Sequence, residues 1–201
     1  MNARHCSMRL AALVWSCACL QLPVAFAQAG DAVATEAKRR ESEQLYLRMH
    51  KVLSHPRCLN CHPKSDSPRQ GAFERPHVPA ITRGPHGKGP AALQCSSCHQ
   101  AQNNTASGVP GAPNWHLAPL SMAWEGLSPG GLCRALLDRK NNGNRNVEAT
   151  VKHLTTDELV AWAWNPGADP SGKPREPVPV PREEFVKLVN AWAKLGAACP
   201  K

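Results

Sequence analysis

The same five-residue pattern, Cys-x-x-Cys-His, occurs twice in this chain of 201 residues. The first copy is CLNCH at residues 58–62, and the second is CSSCH at residues 95–99. Both copies lie among stretches rich in Pro and Gly, of which the chain has 19 and 14, against three Phe and one Tyr. This composition favours a loop-rich protein that is held together by more than side-chain packing.

Several kinds of site contain a Cys-x-x-Cys pair, and the spacing separates them. Four-cysteine zinc sites typically place about 15 to 20 residues between their two pairs, whereas 33 residues lie between Cys61 and Cys95. A thioredoxin-like dithiol needs a strand and a helix around it, and here the surrounding loops are rich in proline. A disulfide within each pair leaves the histidines without a role. A histidine directly after the second cysteine is the signature of c-type haem attachment, so we expect two covalent haems.

The spacing explains how each copy would hold its haem. Two cysteines on one helical turn can bond to the two vinyl groups of a haem, and the next residue can then ligate the iron. We therefore expect His62 and His99 to be the proximal iron ligands. The residues expected to form thioether bonds are Cys58, Cys61, Cys95 and Cys98.

The ligand on the far side of each iron separates an electron carrier from a site that binds or activates a small molecule. His77 is the expected distal ligand of the first haem, with His86 as its substitute, since both lie in the loop after His62. Met122 is the expected distal ligand of the second haem, with His116 as its substitute. Packing of Met122 in the core is the competing interpretation. Ligation by methionine raises the reduction potential relative to two histidines.

Residues 1–27 have the features of a secretory signal peptide. Arg4 and Arg9 precede an apolar stretch, and the segment ends in the small-x-small sequence Ala25-Phe26-Ala27. Its removal would leave six of nine cysteines and lower the formal charge from +9 to +7, because two arginines and no acid are lost. We expect export to the periplasm, with membrane attachment only if this segment is not cleaved.

After residue 27 two cysteines lie outside the motifs, Cys133 and Cys199, and both are near the predicted C-terminal helices. In an oxidising compartment we expect them to form a disulfide that ties these helices together. Two free buried thiols are the alternative.

The predicted fold class is all-α: a small, loop-rich helical protein that wraps its cofactors. Residues 28–201 form one domain, with the haem-binding part at about 45–125 and the disulfide-tied helices at about 126–201. Residues 63–94 and 100–120 are too rich in Pro, Gly and polar residues for much regular structure. Periodicity and capping patterns predict helices at about Thr35–Leu53, from Ser128-Pro129 to about Asn141-Asn142-Gly143, at Val147–His153, at Asp157–Trp164 with a Thr155/Glu158 capping box, and at Arg182–Leu195.

Four segments of the sequence together are similar to one bacterial family: HPRCLNCHP, CSSCHQ, WHLAPLSMAWEGLSPGGLC and the final Cys-Pro. The chain resembles the dihaem class of small periplasmic c-type cytochromes, and more narrowly the family often labelled isoquinoline 1-oxidoreductase subunit. The resemblance covers nearly the whole chain after residue 27 and implies covalent haem at the two Cys-x-x-Cys-His sets. A molybdenum hydroxylase needs a much larger body and iron–sulfur cysteine clusters, so the label implies at most an electron acceptor for such an enzyme.

The expected function is electron transfer between periplasmic redox proteins, including a dehydrogenase or other oxidoreductase, without catalysis by this chain. The alternatives are a peroxidase-like haem enzyme and a haem-based ligand sensor, each with one open iron position. Nucleic acid is not an expected partner, because Lys and Arg are spread along the chain and the aromatic residues do not alternate with charges.

Overall fold

The structure is a computed structural model that describes the backbone of residues 22–201 and the side chains of residues 32–201. Residues 1–21 of the expected signal peptide lie outside this part. The chain divides into an N-terminal unit that ends at Thr35 and a unit from Glu36 to Lys201, which is described here by itself. Over residues 22–201 there are six α-helices and one two-stranded sheet, so the predicted helical fold is confirmed. None of the helices described there is long and apolar enough to span a membrane.

The first helix, α1 (Leu22–Leu53), is longer than the sequence predicted. We expected it to begin at about Thr35, but the residues before that position are rich in alanine, which is the strongest helix former. Its end is as predicted, since Pro56 disfavours helical backbone in the residue before it. A short helix, α2 (Pro56–Leu59), follows, and His55 caps it by accepting a hydrogen bond from the Arg57 amide at 3.2 Å.

The core forms where α1 packs against the last helix, α6 (Arg182–Lys194). The rings of Tyr46 and Trp192 are fully buried, with their centroids 5.8 Å apart. The Ser42 hydroxyl donates to the Trp192 carbonyl at 3.2 Å and accepts from the Ala198 amide at 2.9 Å, which fixes the chain after α6. The predicted inner face of α6 is confirmed: its buried residues are Phe185, Leu188, Val189 and Trp192.

The third helix, α3 (Pro129–Leu137), begins as predicted, because the Ser128 hydroxyl accepts a hydrogen bond from the Gly131 amide at 3.1 Å. It ends before the predicted segment around Asn142, whose buried side chain instead holds the following turn by donating to two backbone carbonyls. Cys133 in α3 forms a disulfide with Cys199, with the two Cα atoms 5.5 Å apart.

Two consecutive helices, α4 (Val147–Thr156) and α5 (Glu158–Ala161), lie between α3 and α6. The predicted Thr155/Glu158 capping box is wrong, because the Thr155 hydroxyl donates to the Val151 carbonyl inside α4. Asp157 caps α5 instead, and its carboxylate accepts from the amides of Leu159 and Val160. A 3₁₀ turn at Trp162–Trp164 ends this region.

The loops between α2 and α3 contain little regular structure, as predicted. Their one hairpin within the described chain pairs β1 (Arg69–Gln70) with β2 (Arg75–Pro76). Arg83 is 8 % exposed, and its guanidinium donates to the carbonyls of Pro63, Ser65 and Ala118. This arginine joins the segment after the first Cys-x-x-Cys-His copy to the segment after the second.

Candidate functional site

Both Cys-x-x-Cys-His copies adopt one helical turn with the same hydrogen bond. The His62 amide donates to the Cys58 carbonyl at 3.2 Å, and the His99 amide donates to the Cys95 carbonyl at 2.9 Å. The first turn continues from α2, whereas the second begins with the 3₁₀ turn Cys95–Ser97. The repeated sequence therefore has a repeated backbone conformation, which presents two thiols and an imidazole together.

A hydrogen bond at Nδ1 fixes the orientation of the ring in each motif histidine. Nδ1 of His62 lies 2.7 Å from the Met122 carbonyl, and Nδ1 of His99 lies 2.7 Å from the Pro110 carbonyl. Because a carbonyl can only accept, each Nδ1 carries the proton and each Nε2 keeps its lone pair. This is the tautomer that can bind a metal through Nε2.

A tryptophan lies flat against each of these rings. His62 stacks on Trp124 with ring centroids 3.4 Å apart and planes at 10°, and His99 stacks on Trp115 at 4.4 Å and 4°. Neither tryptophan was predicted as part of the site, although both lie in the segment WHLAPLSMAW between residues 115 and 124. Together with the carbonyl bonds, the stacking leaves each imidazole little freedom to turn.

Burial keeps both histidines neutral. It lowers the pKa of His62 to about 3, against an opposing effect of the hydrogen bond to Met122. It also lowers the pKa of His99, again against its backbone hydrogen bond. A neutral imidazole is the form that ligates a metal.

The four motif cysteines are free thiols, with no disulfide inside either pair. Burial raises the pKa of Cys58 to about 12 and that of Cys61 to about 11. A catalytic dithiol needs a lowered thiol pKa, so the Cys58–Cys61 pair does not have the properties of a redox-active dithiol. The charge of Cys95 contributes to the raised pKa of Cys61, which indicates that the two motifs are neighbours in space.

Two adjoining cavities contain the motifs. The larger has a volume of about 630 Å³ and is lined by Cys95, Cys98 and His99. The smaller, of about 130 Å³, is lined by Cys58 and His62. The larger cavity is within the range of about 300–1,000 Å³ that is usual for ligand and cofactor sites. The smaller is below it, so a macrocycle bound at His62 would displace wall side chains. The residues common to both walls are Arg57, Cys61, His116 and Trp162.

Several polar atoms of the cavity walls have no hydrogen-bond partner, although buried polar groups are normally paired. Asn60 and Arg69, which line the larger cavity, have one such atom each, and so do Trp124 and Thr150, which line the smaller. These atoms are themselves buried, so the apolar walls and the thiols are the features that fit a bound group.

The candidate distal ligands lie at the opposite cavities from those expected. His77 was expected to face His62, but its ring centroid lies 5.9 Å from that of His99. Met122 was expected at the second haem, yet it lines the smaller cavity and its carbonyl contacts His62. His77 and Met122 lie at these positions because the loops after the two motifs fold back across each other. The composition of the loops does not indicate this path.

The remaining histidines differ in their access to the cavities. His116 lines both, and its Nδ1 donates to the Asn114 carbonyl. His153 lines the smaller cavity, but its Nδ1 pairs with the Asp157 carboxylate at 3.3 Å. His86 is exposed and lines neither of these two cavities, whereas His77 lines the larger one.

Comparisons with known proteins identify no relative. No family model, curated protein or solved structure matches the chain. Within the described chain, no group of three or more His, Cys, Asp or Glu side chains could hold a metal ion by itself. The site's chemistry therefore has to be argued from the two motifs and their surroundings.

Proposed function

We propose that this protein is a dihaem c-type cytochrome that carries electrons between periplasmic redox proteins. The observation that carries the proposal is the repeated site. Each Cys-x-x-Cys-His copy has the same turn, a neutral histidine held through Nδ1 by a carbonyl, and a cavity beside its thiols. A haem iron bound there would supply reversible one-electron reduction.

The residues that would attach the haems covalently are the four motif cysteines that the sequence indicates. Cys58 and Cys61 would hold one porphyrin and Cys95 and Cys98 the other, with His62 and His99 as proximal ligands. A porphyrin supplies four of the iron's ligands, so one or two histidines are sufficient for each site. The stacked tryptophans and carbonyl bonds would keep the proximal rings from rotating, which limits rearrangement during electron transfer.

For the haem at His99, the distance to His77 supports two histidine ligands. Metal–imidazole bonds of about 2 Å on opposite sides of one ion separate the ring centres by roughly 6 Å, and the observed separation is 5.9 Å. Nδ1 of His77 lies 2.9 Å from the Pro79 carbonyl, so Nδ1 carries a proton and only Nε2 could bind a metal.

For the haem at His62, we favour His116 as the distal ligand over Met122. Four histidines bond a backbone carbonyl through Nδ1: His62, His77, His99 and His116. His116 lines the cavity of His62, and its Nδ1 donates to the Asn114 carbonyl. Met122 belongs to the buried core cluster and orients His62 through its carbonyl.

Four histidine ligands favour a carrier over an enzyme. Two six-coordinate irons leave no open position for peroxide or a signalling gas, whereas a peroxidase or sensor requires one. Two histidines also give a lower reduction potential than the histidine–methionine pair expected for the second haem. The partner would be another periplasmic redox protein, such as a dehydrogenase or other oxidoreductase.

The test is to produce the exported protein in a bacterium that attaches haem c, and to count its haems. We expect two covalent haems per chain by mass spectrometry, both low-spin in absorption and electron paramagnetic resonance spectra. Substituting Cys95 and Cys98 by Ala should leave one haem. A protein without covalent haem would refute the proposal, and one high-spin haem that reacts with peroxide would favour the enzyme.

A further inference from the structure

Arg57 is a buried cation without an anionic partner. It is 6 % exposed, and within residues 32–201 no carboxylate forms an ion pair with it. Its Nε donates to the Glu176 carbonyl at 2.9 Å, and its guanidinium lies 5.9 Å from the centre of the Trp162 ring. An arginine remains charged even when buried, so an unpaired one is strongly unfavourable unless an anion binds beside it.

A second arginine lies beside it. Arg175 donates to the carbonyls of Pro166, Ala168 and Gly108, and no carboxylate of the described chain pairs with it. Burial lowers the pKa of Arg57, and the neighbouring charge of Arg175 lowers it further. Two carboxylates attract these arginines without forming an ion pair: Glu176 raises the pKa of Arg57, and Asp169 raises that of Arg175. Two like charges held together in this way indicate a missing negative group.

The position of the two arginines identifies where that group lies. Arg57 lines both cavities, and Arg175 lines the larger one. The planar guanidinium of arginine binds carboxylates with two parallel hydrogen bonds, which makes a carboxylate the ligand that best suits it. Because Arg57 lines both cavities and is otherwise buried, a carboxylate that pairs with it would belong to a molecule that occupies the cavities.

We propose that Arg57 binds carboxylates that project from both cavities, with Arg175 assisting at the larger one, and that these carboxylates are the propionates of the two haems. This rests on the proposed function. Arg57 would then be one positive charge close to both irons. A nearby positive charge disfavours the oxidised iron, which carries one more positive charge than the reduced iron, and so raises the reduction potential.

The test is a redox titration of four single variants of the full protein, each carrying two haems. Arg57→Gln should lower both midpoint potentials, and Arg175→Gln should lower only one. A tenfold change in the equilibrium constant for one-electron reduction is about 59 mV, and we expect shifts of this order. Arg57→Lys keeps the charge and should shift both potentials less than Arg57→Gln. Arg48→Gln, which removes an exposed arginine paired with Glu184, is the control and should change neither.

The outcomes separate this inference from the proposed function. A chain with no covalent haem refutes the function itself, whereas two haems with unchanged potentials in Arg57→Gln overturn the inference alone. A shift of only one potential in Arg57→Gln also overturns it, because Arg57 would not serve both cavities. If Arg57→Gln does not accumulate with both haems, unchanged potentials in Arg175→Gln overturn the proposal.

A diffusible carboxylate is the other source of the same chemistry. Repeating the titration of the unsubstituted protein with increasing citrate tests this source. Propionates are covalently part of the haem, so we expect potentials that do not depend on citrate at constant ionic strength. Potentials that change with the citrate concentration, and that lose this dependence in Arg57→Gln, would overturn the assignment to propionates.

Discussion

One hydrogen bond to each histidine decides what its ring can do. A carbonyl accepts the proton that Nδ1 carries, so only Nε2 could bind a metal in His62, His77, His99 and His116. The carboxylate beside Nδ1 of His153 has the same effect on its ring. Position in the fold therefore has to separate the candidate ligands, and it places His77 beside His99 and not beside His62.

Replacing His77 by Ala tests this ligand set. We expect one of the two haems to become high-spin and to bind carbon monoxide, because the iron at His99 loses its sixth ligand. The absorption and electron paramagnetic resonance spectra report this change. His86→Ala is the matched control, since His86 is in the same loop but lines neither cavity, and its spectra should be unchanged. Two low-spin haems in His77→Ala would contradict the assignment.

The cap of α5 should make stability depend on acid pH. The hydrogen bond from His153, followed by the capping amides, holds the pKa of Asp157 at about 2, below its usual value, against the effect of burial. A lowered carboxyl pKa stabilises the folded state above the unfolded pKa of about 4, and this stability is lost as the pH falls towards 2. Because the side chain is 37 % exposed, we expect roughly 1 kcal/mol or less.

Urea unfolding of Asp157→Asn and the unsubstituted protein between pH 6 and pH 2.5 measures this effect. Asn keeps the cap but not the titration, so the difference in stability between the two proteins should shrink as the pH falls. Asp157→Ala, which also loses the cap, should be less stable than Asn at every pH by about 1 kcal/mol. A difference that stays constant with pH would contradict the lowered pKa.

The elements around the site depend on a few close contacts between loops. Gly87 has φ of +72°, and its carbonyl accepts the Leu117 amide at 2.8 Å. This joins the loop before the second motif to the loop after it, at the wall of the larger cavity. The prediction of little regular structure in these loops holds, but no periodic pattern indicates that Gly87 and Leu117 meet.

Gly87→Ala should be much more destabilising than the same change at Gly172. A Cβ on Gly87 would lie 2.1 Å from the Leu117 carbonyl oxygen, whereas one on Gly172 would have nothing within 4 Å. Both glycines have positive φ, so the strain of alanine in that conformation, about 1–2 kcal/mol, is common to both. Urea unfolding should show a clearly larger loss for Gly87→Ala, and equal losses would refute the close contact.

The helices were more predictable than the loops, because helix formation depends on residues that are close together in the sequence. The cap at Ser128 and the buried face of α6 depend on residues three or four positions apart, so sequence spacing is sufficient. The predicted start of α1 at Thr35 and the predicted capping box at Thr155 and Glu158 were wrong, because neighbouring residues of similar propensity competed and the sequence does not rank them.

At the scale of the whole molecule, the disulfide closes the C-terminal part of the protein. Cys133 and Cys199 are 66 residues apart in sequence and join α3 to the segment after α6. Neither cysteine lines either of the two cavities, so the disulfide should contribute to stability and not to the redox site.

The double variant Cys133→Ser/Cys199→Ser should therefore unfold more easily without a change in its spectra. We expect a loss of about 2–4 kcal/mol in the free energy of unfolding, because the unfolded chain gains freedom when a long loop is no longer closed. Urea unfolding followed by circular dichroism measures this loss. Reductant should destabilise the unsubstituted protein similarly and leave the variant unaffected; equal stability of the two proteins without reductant would contradict the prediction.

Residues close together in the chain were enough to predict two haem-attachment motifs, the helical class and the amphipathic face of α6. Each of these predictions depends on residues within one or two turns, whose geometry follows from the backbone. The chain's folding was needed to place His77 beside His99, to bring the Met122 carbonyl to His62 across 60 residues, and to set Arg57 at the wall of both cavities. These contacts join segments far apart in sequence, and the loop path between them is set by tertiary hydrogen bonds such as those of Arg83.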